Sequence, residues 1–140
     1  MKKTALLLIA AFVFTCAVSC SAPEYRGIWL AFMVEDADGK QYSMPDYFTG
    51  FEEEYTVIMS IRDDGTYICS SFIGTKLLEN EKGTYTVHDG KIDFNETKTY
   101  TGQMVNGYLA IRYDKVTLYF GKTSEYKTNN GVNVQTSAVK

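Results

Sequence analysis

The chain has one histidine, two prolines and one tryptophan among its 140 residues. It also lacks any run of basic side chains. Each scarcity removes a class of function. With His88 as the single imidazole, no Cys/His spacing suited to a metal is available. His88 and Cys69 lie on separate segments without a third group to complete a catalytic set. Glycines stand singly at turns, so no phosphate-cradling loop is present. No catalytic residues, metal ligands or cofactor-binding residues are therefore expected. The charge balance, 14 Lys and Arg against 17 Asp and Glu for a net charge of −3, leaves no basic patch for nucleic acid. The one charge run, Glu52-Glu53-Glu54, reads as a solvated loop. Helical periodicity is not sustained in any window.

What the chain does have is tyrosine and phenylalanine, 11 and 8 of them, a bias toward strands. It also has a leader. Met1-Lys2-Lys3 precedes an apolar run from Ala5 to Val18 interrupted by Thr15 and Cys16. A short basic start, an apolar stretch of this length and small residues at its end form a secretory signal. The run falls short of the ~20 residues that a membrane-spanning helix needs. It is too uniformly apolar for one face of a small domain. Loss of Lys2 and Lys3 with the leader makes the exported part more acidic.

The leader ends in Ala17-Val18-Ser19-Cys20, which resembles a bacterial lipobox, with Ala17 where Leu is usual. That resemblance implies cleavage before Cys20 and acylation of its thiol, with several chains because one anchors only marginally. Cys16, preceded by Phe14 and Thr15, fits less well. The small-x-small pair Ala17 and Ser19 also satisfies ordinary secretory cleavage; Cys20 would then be free or paired with Cys69, a bond that exported compartments permit. Ser21 after the cysteine resembles an outer-membrane sorting signal. The expectation is an exported protein held by an N-terminal lipid in the bacterial envelope, at the outer membrane. Asn95-Glu96-Thr97 matches a glycosylation sequon, which such a setting makes a chance match.

After the leader, turn signals recur at Asp63-Asp64-Gly65, Asp89-Gly90, Asn106-Gly107 and Asp114-Lys115, separated by short β-rich runs. The turns fix registers. Ile61 is set opposite Tyr67, Val87 opposite Ile92, Tyr85 opposite Phe94, Met104 opposite Leu109, Tyr100 opposite Tyr113, and Tyr113 opposite Val116. Four turns thus send their large apolar residues to a common face, and a one-residue slip at any would reverse the set. Eight strands follow, at 25–34, 55–62, 66–73, 83–88, 91–95, 98–105, 108–113 and 116–120. Hairpin-only connections favour an eight-stranded antiparallel up-and-down barrel, a meander, over a two-sheet sandwich. The organisation predicted is a signal at 1–19, a tether at 20–24 containing Pro23, a barrel at 25–122 and a polar disordered tail at 123–140.

Gly27-x-Trp29 on a first strand, a long loop and seven hairpin-joined strands resemble the lipocalin fold. The segments "DDGTY", "GTYTVHDGKIDF" and "LYF" are similar to small bacterial lipocalin-like lipoproteins across residues 25 to 122. The resemblance implies that Trp29 closes one barrel end under a basic side chain, here Lys122 where Arg is commoner. The Thr-Asp-Tyr element and the trailing helix of classical lipocalins are absent from the sequence. It also implies an interior that holds a small apolar or amphipathic molecule. The residues expected to line that interior, or to fill it as core, include Tyr55, Met59, Tyr67, Tyr85, Tyr100, Met104 and Tyr113. Cys69, on the same face, reads as an inert buried thiol.

The connection from 35 to 54 is long for a compact domain. It reads either as an extra hairpin at Asp38-Gly39 with a turn at Pro45, or as a lid. Tyr42, Met44, Tyr47, Phe48 and Phe51 give it an apolar side. If the barrel is solid, that side is the candidate surface for an envelope protein partner.

Overall fold

A computed structural model describes residues 24–95, 99–127 and 133–135. The signal segment, Cys20, most of the tether, Glu96 and Thr97 of the sequon, and much of the tail lie outside the described residues. The strands are β1 (Gly27–Glu35), β2 (Gln41–Ser43), β3 (Tyr55–Ile61), β4 (Thr66–Ile73), β5 (Lys76–His88), β6 (Lys91–Asn95), β7 (Thr99–Val105), β8 (Tyr108–Tyr113) and β9 (Val116–Thr123). Each of β3 to β9 pairs with its sequence neighbour, and β1 pairs with both β3 and β9. The sheet therefore closes on itself as an eight-stranded antiparallel barrel, the meander that the hairpins predict.

The registers follow from turn chemistry. Asp89 and Gly90 both take positive φ, as do Asn106 and Gly107, the geometry of two-residue turns whose twist matches the strands. Ile61 faces Tyr67, Val87 faces Ile92, Tyr85 faces Phe94, Met104 faces Leu109 and Tyr113 faces Val116. The Tyr100 and Tyr113 rings meet with centroids 4.6 Å apart.

The strand that departs most from expectation is β5. It begins at Lys76, not at residue 83, after a tight Gly74-Thr75 turn. Lys76 to Asn80 are all exposed, so this part of the strand has no apolar alternation to reveal it. A bulge at Leu78 shifts its pairing from Ser71↔Glu79 to Phe72↔Leu77. β9 likewise runs on to Thr123, where it pairs with Ile28.

The long first connection is an extra hairpin and a short helix. Asp36 accepts backbone hydrogen bonds from Asp38 and Lys40, and Gly39 takes φ 79°. β2 then pairs with residues 33–35 of β1. β3 pairs only with residues 27–30, so β2 occupies the place beside β1 that β3 vacates. Helix α1 (Met44–Tyr47) starts at a Ser43 cap that accepts from the Asp46 amide, with Pro45 in its first turn. In the tail, Glu125–Lys127 and Asn133–Gln135 form a separate two-stranded sheet, β10 and β11.

Candidate functional site

The two ends of the barrel are built differently. At the lower end, where the turns at 62–65, 89–90 and 106–107 gather, Trp29 is fully buried and donates its Nε1–H to the Tyr25 carbonyl at 2.7 Å. Tyr25, itself buried, donates its hydroxyl to the Gly90 carbonyl at 2.7 Å. Burial raises the Tyr25 phenol above its ordinary range. The Lys122 ammonium lies 5.3 Å from the centroid of the Trp29 ring, within reach of a cation–π contact. A Cβ on Gly27 would stand 2.6 Å from the Lys122 side chain. Gly27 thus clears the path along which Lys122 crosses to the tryptophan. That is the physical content of the Gly-x-Trp motif here.

Above this plug the interior is solid. Met59, Tyr67, Ile92, Phe94, Leu109, Ile111 and Phe120 are each almost wholly shielded from solvent. The Tyr67 and Phe94 rings meet edge to face at 4.9 Å. Tyr85 sits lower, half-buried against the core, its hydroxyl donating to the Arg62 carbonyl.

The upper half changes character. Tyr55, Cys69, Glu81, Tyr100, Tyr113 and Val116 share the inward face but are only half-buried. Met104, also half-buried, lies at the lower end beside the 106–107 turn, opposite Leu109. Burial, reinforced by the Glu81 carboxylate, pushes the Cys69 thiol up to about 12, against an opposing hydrogen bond with Tyr113. The Tyr113 phenol is raised well above its ordinary range, by burial first and by Cys69 and Glu81 next. The Tyr67 hydroxyl donates to Glu81 at 2.5 Å. Ser71, on the same face of β4, is 6% exposed and its Oγ has no hydrogen-bond partner among the described residues. Ser71 follows Tyr67 and Cys69 on the inward face as the alternation of that strand implies; Glu79 and Glu81 are the groups that sequence reading missed. Only the β4–β5 register, Cys69↔Glu81 and Ser71↔Glu79, puts the two glutamates on the inward side.

The first connection caps this half. Met44 is 3% exposed, and Tyr47 and Phe48 pack against the core. A run of ring contacts crosses the rim: Tyr42 to Tyr47 at 5.6 Å, Tyr47 to Phe48 at 5.1 Å, Phe48 to Tyr55 at 4.4 Å and Tyr55 to Phe51 at 5.4 Å. Phe51, at its end, is exposed. The Glu54 carbonyl accepts from the Gly74 amide at 2.9 Å, tying the connection to the β4–β5 turn.

His88 is remote from all of this, on the outer surface, with Nε2 2.6 Å from Asp93. Among the described residues, no group of three or more His, Cys, Asp or Glu is arranged to hold a metal ion.

A closed antiparallel barrel of eight strands, plugged at one end and capped by its first connection at the other, defines the structural class. Within that class the chain is similar to the crystal structure of a lipocalin-like protein from Bacteroides uniformis ATCC 8492. The TM-score is 0.50 at 14% identity, over 72% of this chain and 100% of that one. At that identity the likeness establishes the fold. No protein-family model and no curated protein matches the chain.

Proposed function

We propose that the protein is an exported, lipid-anchored binding protein of the bacterial cell envelope, carrying a small hydrophobic or amphipathic ligand in the upper half of its barrel. The observation that carries this reading is the step in burial along the inward face. A sealed lower half supplies stability, while half-buried tyrosines with a few polar groups stand beneath a capping segment. Pockets for small molecules combine mainly apolar walls with a small number of placed polar groups in this way. Binding is favoured over turnover. Cys69 stays protonated at neutral pH because its thiol is held at about 12, and thiolate is the reactive form. His88 faces outward, away from the interior.

Anchoring rests on the lipobox-like Ala17 to Cys20 segment, and the outer-membrane placement on Ser21 after the cysteine. A mass measurement on the N-terminus of membrane-extracted protein is expected to show acylated Cys20; an unmodified thiol would sink the anchor. Native mass spectrometry of the same preparation is expected to show a non-covalent small-molecule adduct released on unfolding.

A second reading, docking of an envelope protein partner, is favoured by Phe51, Leu77 and Leu78, which are all exposed on upper segments. It predicts loss of partner capture on deletion of residues 40–51, with no adduct in the mass spectrum.

A further inference from the structure

The polar groups of the upper half are chemically one-sided. Ser71 and Cys69 stand opposite Glu79 and Glu81 on the inward face. A carboxylate offers about four acceptor positions, and the Tyr67 hydroxyl occupies one on Glu81. Ser71 Oγ is buried and unpartnered among the described residues, a condition uncommon enough in protein interiors to require a reason. The neighbouring inward residues from the other strands, Val57, Tyr100, Tyr113, Val116 and Leu118, carry no charge. Lys76 is set at the rim, opposite Ile73 and beyond the bulge.

Resting on the carrier reading above, we propose that the upper half selects small primary amines with an apolar body. The ammonium donates to Glu81, Glu79 and Ser71 Oγ. Three N–H donors meet three acceptor groups. The hydroxyl of Ser71 gains the partner that it lacks among the described residues. Carboxylate-headed amphiphiles such as fatty acids are disfavoured, because their anion would stand beside the half-buried Glu81 carboxylate and the exposed Glu79 carboxylate at the rim. The apolar body lies against Tyr100, Tyr113 and Val116. It must be short, since Met59, Tyr67, Phe94 and Phe120 fill the barrel below.

Isothermal titration of the purified protein at neutral pH with octylamine, octan-1-ol, octanoate and octyltrimethylammonium tests this. Octylamine is expected to bind about tenfold or more tighter than each of the others, the scale of one charge-assisted hydrogen bond. The trimethylated cation keeps the charge but has no N–H to donate. Glu81→Gln is expected to remove the preference of octylamine over octan-1-ol, and Ser71→Ala to reduce it several-fold, with circular dichroism confirming the barrel. If Glu81→Gln does not fold, the ligand series on the unaltered protein decides. Octanoate or octyltrimethylammonium binding as tightly as octylamine overturns the amine assignment and leaves the carrier reading standing. Failure of all four to bind overturns both.

Discussion

The single histidine illustrates how little a titratable residue implies without its neighbours. His88 bonds to Asp93, whose other oxygen accepts from the Thr101 hydroxyl at 2.7 Å. Asp93, through that hydrogen bond first, raises the imidazole above its ordinary 6.5, and Asp89 adds to the effect. Thr101 first and His88 next lower the Asp93 carboxyl below its ordinary 3.8. A raised histidine contributes stability below its unfolded value and loses it as pH rises through the folded one. A depressed carboxylate contributes above its unfolded value and loses it as pH falls through the folded one. The pair therefore supports the fold most between 3.8 and 6.5. Both groups lie at the surface, so salt weakens the effect. An NMR titration of His88 is expected to give a midpoint above 6.5, dropping toward that value in Asp93→Asn; equal midpoints in the two proteins would remove the pairing.

At the scale of strands and turns, the legible parts of the fold are those where two independent signals coincide. The hairpins at Asp89-Gly90 and Asn106-Gly107 combine turn residues suited to positive φ with strands that alternate apolar and polar, so register followed directly. The first half of β5 has neither. Its residues are exposed, its Gly74-Thr75 turn carries a weak signature, and the bulge at Leu78 breaks the alternation. Because Glu79 and Glu81 face inward only through that register, the polar part of the candidate site was hidden with the strand. The tyrosines were legible because they lie on hairpins that could be registered. β5 also holds a test of how closely it is packed. A Cβ on Gly83 would sit 2.6 Å from the Asn95 carbonyl oxygen and 2.8 Å from the Tyr67 ring. Backbone cannot give way there, so Gly83→Ala is expected to destabilise by about 2–3 kcal/mol in denaturant unfolding. Gly107→Ala meets nothing within 4 Å but must hold φ 84°, and is expected to cost only about 1 kcal/mol. Equal losses at the two sites would mean that crowding at Gly83 is relieved by movement of β6.

For the whole molecule, the consequence of a closed barrel is that its two ends can serve separate purposes. Closure through β1 and β9 is a long-range pairing that no local pattern encodes; the Gly27, Trp29 and Lys122 contacts mark where it happens. The lower end is held by Trp29 and Tyr25, with hydrogen bonds and near-complete burial. Trp29→Phe, which loses the bond to the Tyr25 carbonyl and leaves a gap, is expected to lower the free energy of unfolding, measured by denaturant titration, by about 2–4 kcal/mol. The upper end is held by a shorter segment, through Met44 and the ring contacts of Tyr47 and Phe48. Segments with few buried contacts open locally at a small fraction of the global free energy. Cys69 lies inside that end and can report its opening. In a Cys20→Ser background, Cys69 is expected to react slowly with iodoacetamide, because it is both shielded and protonated. Phe48→Ala should speed that reaction several-fold while changing global stability less than Trp29→Phe does. A lid that gates the interior requires this separation. If labelling follows global stability in both variants, the first connection is part of the core rather than a gate.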